Sequence, residues 1–288
     1  MTVLIKKSLQ MLILIGGYLL TCAASADDSA AKLSPDVQQI VDRGVLRVAM
    51  YHKDTPPFYF VDDEGELTGV DVELIKGFGS LLGVPVEFNR SAKTFNQVVD
   101  QVANKEADLA ICKLSITFNR SAKVSFTEPY IKLRKGLLVN RILLQRQLAG
   151  RSKEKAIQTL KGSIGVIGNS SYVGYAKLRF KDLELVEYKS WNEVVQAVIN
   201  QEVIAGFRDE AEVKKVIRDK SDNAVNLLTV VLKGDYDPKG IAVSRDSQHL
   251  KSLLEFYMNS LSLDLSANSV LFEYDSVIES IKRNSGSR

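Results

Sequence analysis

Ser115, Thr117 and Arg120 fall within six positions of one another, just after the apolar run Ala107 to Cys112. Two hydroxyls and a guanidinium at the end of a buried strand make a donor-rich site. The planar fork of arginine matches a carboxylate through two parallel hydrogen bonds. The chemistry these residues point to is capture of a small carboxylic acid, with no covalent step. No Ser/His/Asp set, phosphate-cradling loop or CxxC pair accompanies them. His52 and His249 lie far apart without a ligand-spaced partner, so neither a metal site nor a cofactor is expected.

The elements that must hold this site read as α/β. Val45 to Met50 is a strand candidate, followed by a loop with Pro56 and Pro57 and a hairpin-type turn at Asp62-Asp63-Glu64-Gly65. Val70, Leu74, Phe78, Leu81 and Leu82 recur at helical spacing, Gly83 ends that helix, and Val84 to Phe88 is the next strand. An internal repeat follows. Phe95-Asn96-Gln97-Val98-Val99 is echoed by Trp191-Asn192-Glu193-Val194-Val195, and the same offset of 96 aligns Asn104 with Asn200 and Glu106 with Glu202. Each copy reads as an amphipathic helix, a turn and a buried strand, Leu109 to Cys112 in one and Ile204 to Phe207 in the other. Chance likeness of two helices is the competing account. Two similar lobes is the simpler one, because the following strand keeps its place.

Gly136 to Val139 and Pro238 to Val243 read as two extended crossings, a hinge between the lobes. The expected organisation is lobe 1 from 40–136 plus 240–288 and lobe 2 from 137–239, each a sheet flanked by helices. A ligand would bind in the cleft where strand ends of both lobes converge.

The chain begins with Lys6 and Lys7, an apolar run from Leu9 to Leu20, and Ala24-Ser25-Ala26. These are the parts of a secretory signal peptide over 1–26, with 27–39 a flexible leader. Leu19-Leu20-Thr21-Cys22 loosely resembles a lipoprotein box, and lipidation at Cys22 is the competing reading. After cleavage Cys112 is the sole cysteine, so no internal disulfide is expected, and it reads as a small buried apolar residue. The formal charge of +3 falls to near neutral without Lys6 and Lys7, and no polybasic patch remains for nucleic acid.

Taken together, the motifs resemble the periplasmic solute-binding proteins of polar amino-acid uptake, family 3. The resemblance runs from about Gly44 to about Lys282. It rests on Gly44-Val45-Leu46-Arg47-Val48, Pro57-Phe58-Tyr59, Gly69-Val70-Asp71-Val72-Glu73, Ala107-Asp108-Leu109, Ser115-Ile116-Thr117-Phe118-Asn119-Arg120 and Phe126-Thr127-Glu128-Pro129-Tyr130. In lobe 2, Gly165 to Ser171 resembles the family's Gly/Ser/Thr-rich loop, and Ala205 to Asp209 its strand ending in aspartate.

That resemblance implies roles. Arg120 would clamp the ligand α-carboxylate, and the Ser115 and Thr117 region would add donors. Ser170 and Ser171 would hold the same carboxylate at a helix start, Asp209 would accept from the α-ammonium, and Tyr51 and Phe58 would wall the pocket. Blander readings stand beside each: Arg120 as a surface ion-pair partner, Asp209 as a helix cap, the serines as a turn, the aromatics as core.

The chain departs from the family at Lys113, where a small residue is usual. By the repeat, Lys113 is the counterpart of Asp209. It could bind a second carboxylate, pair with Asp209 on closure, or swing into solvent. The function implied is the periplasmic substrate-binding component of an ABC importer, a monomer that closes its lobes on an amino acid or related small carboxylate and delivers it to an inner-membrane permease. An exported enzyme of the cyclohexadienyl dehydratase kind is the alternative, but near Val173, where that group has a glutamate, there is no carboxylate. A ligand-sensing partner of a membrane receptor is the third reading.

Overall fold

The computed structural model describes residues 33–219 and 225–286. The expected signal peptide and Cys22 lie outside them. Helix α1 (Pro35–Arg43) leads into β1 (Leu46–Tyr51), and a small hairpin of β2 (Phe60–Val61) and β3 (Leu67–Thr68) precedes α2 (Val70–Leu82). Then come β4 (Val86–Ala92), α3 (Phe95–Ala103), β5 (Leu109–Ala110), α4 (Phe118–Ser121) and β6 (Ser125–Phe126). The long strand β7 (Ile131–Asn140) opens a second group: α5 (Arg141–Leu148), α6 (Lys153–Gln158), β8 (Ser163–Ile167), α7 (Ser171–Arg179), β9 (Glu184–Tyr188), α8 (Trp191–Ile199), β10 (Ala205–Asp209) and α9 (Glu210–Asp219). The chain returns along β11 (Leu227–Lys239) to β12 (Ala242–Val243) and ends in α10 (Gln248–Ser260), α11 (Ala267–Phe272) and α12 (Tyr274–Gly286).

Two five-stranded sheets result, in the orders β4-β1-β5-β12-β6 and β11-β7-β10-β8-β9. In each, four strands run the same way and one opposes them: β12 is antiparallel to β5 and β6 in the first sheet, and β7 to β10 and β11 in the second. Helices cover both faces, as the near-continuous apolar strands require. Alternation along β7 shows this directly. Leu137 and Val139 enter one core with Phe207 and Tyr172, while Leu138 between them enters another with Val195, Val198 and Val213.

The two sheets are linked by β7 and β11, antiparallel from Ile131 opposite Lys239 to Asn140 opposite Leu227. Ile131 and Leu133 belong to the first sheet's core and Leu137 to the second's. On the return, Leu232 belongs to the second and Ile241 to the first. One of the two expected crossings is therefore displaced, while the other overlaps the link at Pro238 and Lys239. Gly136 to Val139 lie inside the second sheet, between β10 and β11, and Ile131–Arg134 with Tyr236–Lys239 make the link. Residues 35–39 of the expected leader belong to α1. From Pro35 onward the chain is helical, because Val37 and Ile40 bury against the first core.

The repeat is structural. Helices α3 and α8 begin and end at equivalent positions, 96 apart, capped by Thr94 and Ser190 and stopped at Asn104 and Asn200. Lys105 and Gln201, the next residues, both take a left-handed conformation (φ 62° and 65°). Strands β5 and β10 then start at Leu109 and Ala205.

Candidate functional site

The C-terminal ends of β5, β8 and β10 converge with the start of α7 and the end of β11. Thr117 caps α4, its hydroxyl accepting from the Arg120 N–H at 3.4 Å, and so fixes where Arg120 leaves the backbone. The Arg120 guanidinium is buried and donates to the Ser115 carbonyl (3.1 Å) and to Asn96 Oδ1 (3.5 Å). Both acceptors are neutral, and among the described residues no carboxylate forms an ion pair with it. Burial pulls its pKa below the ordinary value, which marks a cation short of a counter-charge.

Lys113 reaches across from the first sheet to the second. Its Nζ lies 3.1 Å from Asp209 and 2.6 Å from Glu212 Oε1, with the Phe58 ring centre 4.5 Å away. The side chain is only 2% exposed. Its backbone is left-handed (φ 55°), and its N–H donates to Asp71 Oδ2 at 2.8 Å. Asp71 also accepts from Tyr130 Oη (2.9 Å). Burial pushes the Asp71 carboxyl up to about 7, partly offset by these two donors. Burial would raise Asp209 as well, but Lys113, Lys239 and Arg208 overrule it and hold it at about 2.

A second cluster surrounds Asp237, which is fully buried. It accepts from Ser115 Oγ (3.1 Å), Tyr172 Oη (2.8 Å), Tyr175 Oη (3.3 Å) and the Lys239 ammonium. Lys239 also donates to Ser115 Oγ (3.0 Å), and Ser171 Oγ donates to the same atom from the other sheet (2.8 Å). Ser115 is thus held within the protein rather than pointing free.

Between these groups is a cavity of about 20 Å³, lined by Lys113, Arg120, Arg208 and Lys239 together with Asp209, Ser115 and Ser171. That volume suits a water molecule. Arg208 also lines a larger cavity of about 370 Å³, with Tyr51, Thr55, Trp191 and Glu212. The larger has the size of an ordinary small-molecule pocket, roughly 300–1,000 Å³. The smaller carries the concentrated buried charge.

Of the residues expected at the site, Lys113, Ser115, Arg120, Ser170, Ser171 and Asp209 line the small cavity together. Thr117 does not and serves as a cap. The Ser170 side chain is engaged locally, donating to the Ile167 carbonyl (2.6 Å) and accepting from the Tyr172 N–H (3.3 Å) at the start of α7. Phe58 is core, beneath Lys113. Tyr51 stacks on Phe95 (centroids 4.4 Å apart) and faces the larger cavity. Cys112 is buried and free, and burial drives its thiol pKa to about 12.

A family model for bacterial extracellular solute-binding proteins, family 3, matches residues 46–269. The chain belongs to this family. Among curated family 3 relatives, ABC transporter arginine-binding protein 1 of Escherichia coli is 26% identical over 214 residues, 72% of this chain and 80% of that protein. Membrane-bound lytic murein transglycosylase F of Saccharophagus degradans is 30% identical over 178 residues, 61% of this chain but 32% of its own length, so the match spans about a third of that protein. Solved structures show the same two-sheet fold. An ancestral amino-acid-binding protein described as a precursor of cyclohexadienyl dehydratase has a TM-score of 0.66 at 21% identity, covering 86% of this chain and 97% of that one. An amino-acid ABC transporter substrate-binding protein of Streptococcus pneumoniae, bound to L-arginine, has a TM-score of 0.66 at 23%, covering 87% and 100%.

In this family 3 solute-binding protein the cleft also contains residues that sequence reasoning did not single out. Arg208, Glu212, Tyr172, Asp237 and Lys239 all belong to the charged cleft. Arg208 adjoins the expected Asp209, and Lys239 lies in the expected hinge run. For Arg208, Asp237 and Lys239 a charge inside a strand was the available signal; Tyr172 and Glu212 lie on helices and carried none. No helix among the described residues is long and apolar enough to cross a membrane, and none of the described acidic, His and Cys side chains group as a metal site.

Proposed function

We propose that this protein is a periplasmic binding component of an ABC importer, capturing an amino acid or related small carboxylate between its two lobes and passing it as a monomer to an inner-membrane permease. The observation that carries this reading is Arg120: a buried guanidinium with neutral partners only, at a cleft bridged by Ser171 and Ser115. A carboxylate arriving there completes a charge-assisted pair in low dielectric, and it contacts both lobes, so binding and closure are coupled. The likeness to arginine-binding relatives supports the transport role. Ser171 at the start of α7 adds a donor from the second lobe.

A binding role is preferred to dehydration chemistry. A general acid within reach of a leaving hydroxyl is needed for such elimination, and near Val173, where the resemblance implies a glutamate, the chain has no carboxylate. Isothermal titration calorimetry of the wild type and Arg120→Ala against a panel of amino acids and small carboxylates tests the assignment. Binding in the wild type and its loss in the variant is the expected result. Equal affinity in both, or turnover of prephenate by the purified protein, would overturn it.

A further inference from the structure

We propose that the cleft selects small dicarboxylates that carry no ammonium group, because Lys113 already occupies the acidic partners an ammonium would need. This narrows the carboxylate-capture reading above and rests on it. The Lys113 ammonium is a compact charge with three donor directions. It faces Asp209 at 3.1 Å, Glu212 at 2.6 Å and the Phe58 ring at 4.5 Å. Asp71 anchors its backbone from behind, so the chain enters the cleft at a fixed point. Asp209 Oδ2 is buried without a hydrogen bond, yet it is flanked by Lys113 Nζ at 3.1 Å and Arg208 Nε at 3.7 Å. An incoming ammonium would meet two cations there and a carboxylate whose charge is already answered.

The opposite need is unmet at Arg120 and only partly met at Arg208. Arg120 has only neutral acceptors. Arg208 is buried, its Nε makes no hydrogen bond, its guanidinium carbon lies over the Phe95 (5.7 Å) and Trp191 (6.0 Å) rings, and its nearest carboxylate, Asp209, stands off at 3.7 Å and is shared with Lys113. Lys239, the remaining cation of the cavity, is taken by Asp237. Two guanidiniums on one cavity, neither with a hydrogen-bonded carboxylate, call for two carboxylates, one on each fork. Arg208 lines both cavities, so a second carboxylate on it lies where the small space meets the 370 Å³ one.

The test compares acids that differ only by an α-ammonium: succinate with L-aspartate, and glutarate with L-glutamate. Titration calorimetry on the full chain is expected to show at least one diacid binding tenfold or more tighter than its amino counterpart. In Lys113→Gly, whose left-handed backbone glycine adopts freely, that preference should shrink at least tenfold, because Asp209 and Glu212 become free for an ammonium. Arg208→Met should weaken the diacid by tenfold or more. Wild-type protein that binds an α-amino acid as tightly as the matching diacid, or binds neither diacid while binding another carboxylate lost in Arg120→Ala, overturns the inference and leaves carboxylate capture standing. Binding of no acid of either kind removes both readings. The wild-type comparison decides the matter even where Lys113→Gly does not fold.

Discussion

Lys113 and Asp209 occupy the same position in the two copies of the internal repeat, and their side chains meet at 3.1 Å across the cleft. A duplicated strand has therefore ended in opposite charges at its two homologous tips. The pairing brings in Glu212 as well, giving one buried cation between two buried carboxylates. Such a cluster holds together only as a set, since removing one member strands the others in low dielectric.

Lys113→Met is expected to lower stability by about 3–5 kcal/mol, the usual cost of breaking a buried pair from one side. Chemical denaturation at neutral pH checks this. Loss of less than about 1 kcal/mol, as for an exposed pair, would mean that the lysine is solvated in solution.

Asp71 should make the protein lose stability as pH rises. Its folded pKa, about 7, lies above the ordinary 3.8. The protonated form is favoured in the native state, so this contribution is full below about pH 4 and is lost as pH climbs through 7. Its size is on the order of a few kcal/mol. Asn can still accept from the Lys113 N–H and donate to Tyr130, so Asp71→Asn should flatten the stability profile between these limits. An unchanged profile in the variant would refute the assignment.

Asp209 has the opposite sign. Its folded pKa of about 2 lies below the ordinary 3.8, so its contribution is present above about pH 4 and is lost as pH falls toward 2. Acid unfolding of Asp209→Asn, followed by circular dichroism, should be less steep across that window than in the wild type.

Ser170 and Ser171 are adjacent but should behave differently. Ser170→Ala removes the cap of α7 and is expected to cost about 1 kcal/mol of stability, with ligand affinity changed little. Ser171→Ala removes the hydroxyl that reaches Ser115 from the other sheet and should weaken binding with little effect on unfolding. A reversed pattern in melting and calorimetry would place Ser170 on the ligand.

Gly69→Ala should destabilise by more than about 1 kcal/mol. Gly69 has φ 121°, and a Cβ there would press into the backbone of Phe58 and Tyr59, 2.8 Å from the Tyr59 nitrogen. The same residue starts α2 and so sets the position of Asp71. Thermal melting measures the cost, and a neutral result would mean that the Phe58 loop gives way freely.

Much of the architecture was legible in the chain. The helical spacing from Val70 to Leu82 with Gly83 after it, and the repeat that places α3 and α8 96 residues apart, are local patterns with local causes. The crossing strands were harder. Gly136 to Val139 are apolar because they fill the centre of the second sheet, and an apolar run does not say whether it crosses between lobes or stays within one. Thr117 and Ser170 were read as ligand donors because a hydroxyl that caps a helix and one that binds a ligand look the same in sequence.

The sequence by itself determined the fold and the family, because periodicity, turn residues and motif order act over short stretches. Only the tertiary structure decided what Lys113 touches. Its three possible destinations differ by a few ångströms of cleft geometry, and electrostatics at that range depends on burial and on residues distant in the chain: Asp71, Phe58, Asp209 and Glu212. The same holds for Arg208 and Asp237, whose meaning comes from which charges surround them once the strand ends of the two sheets have been brought together.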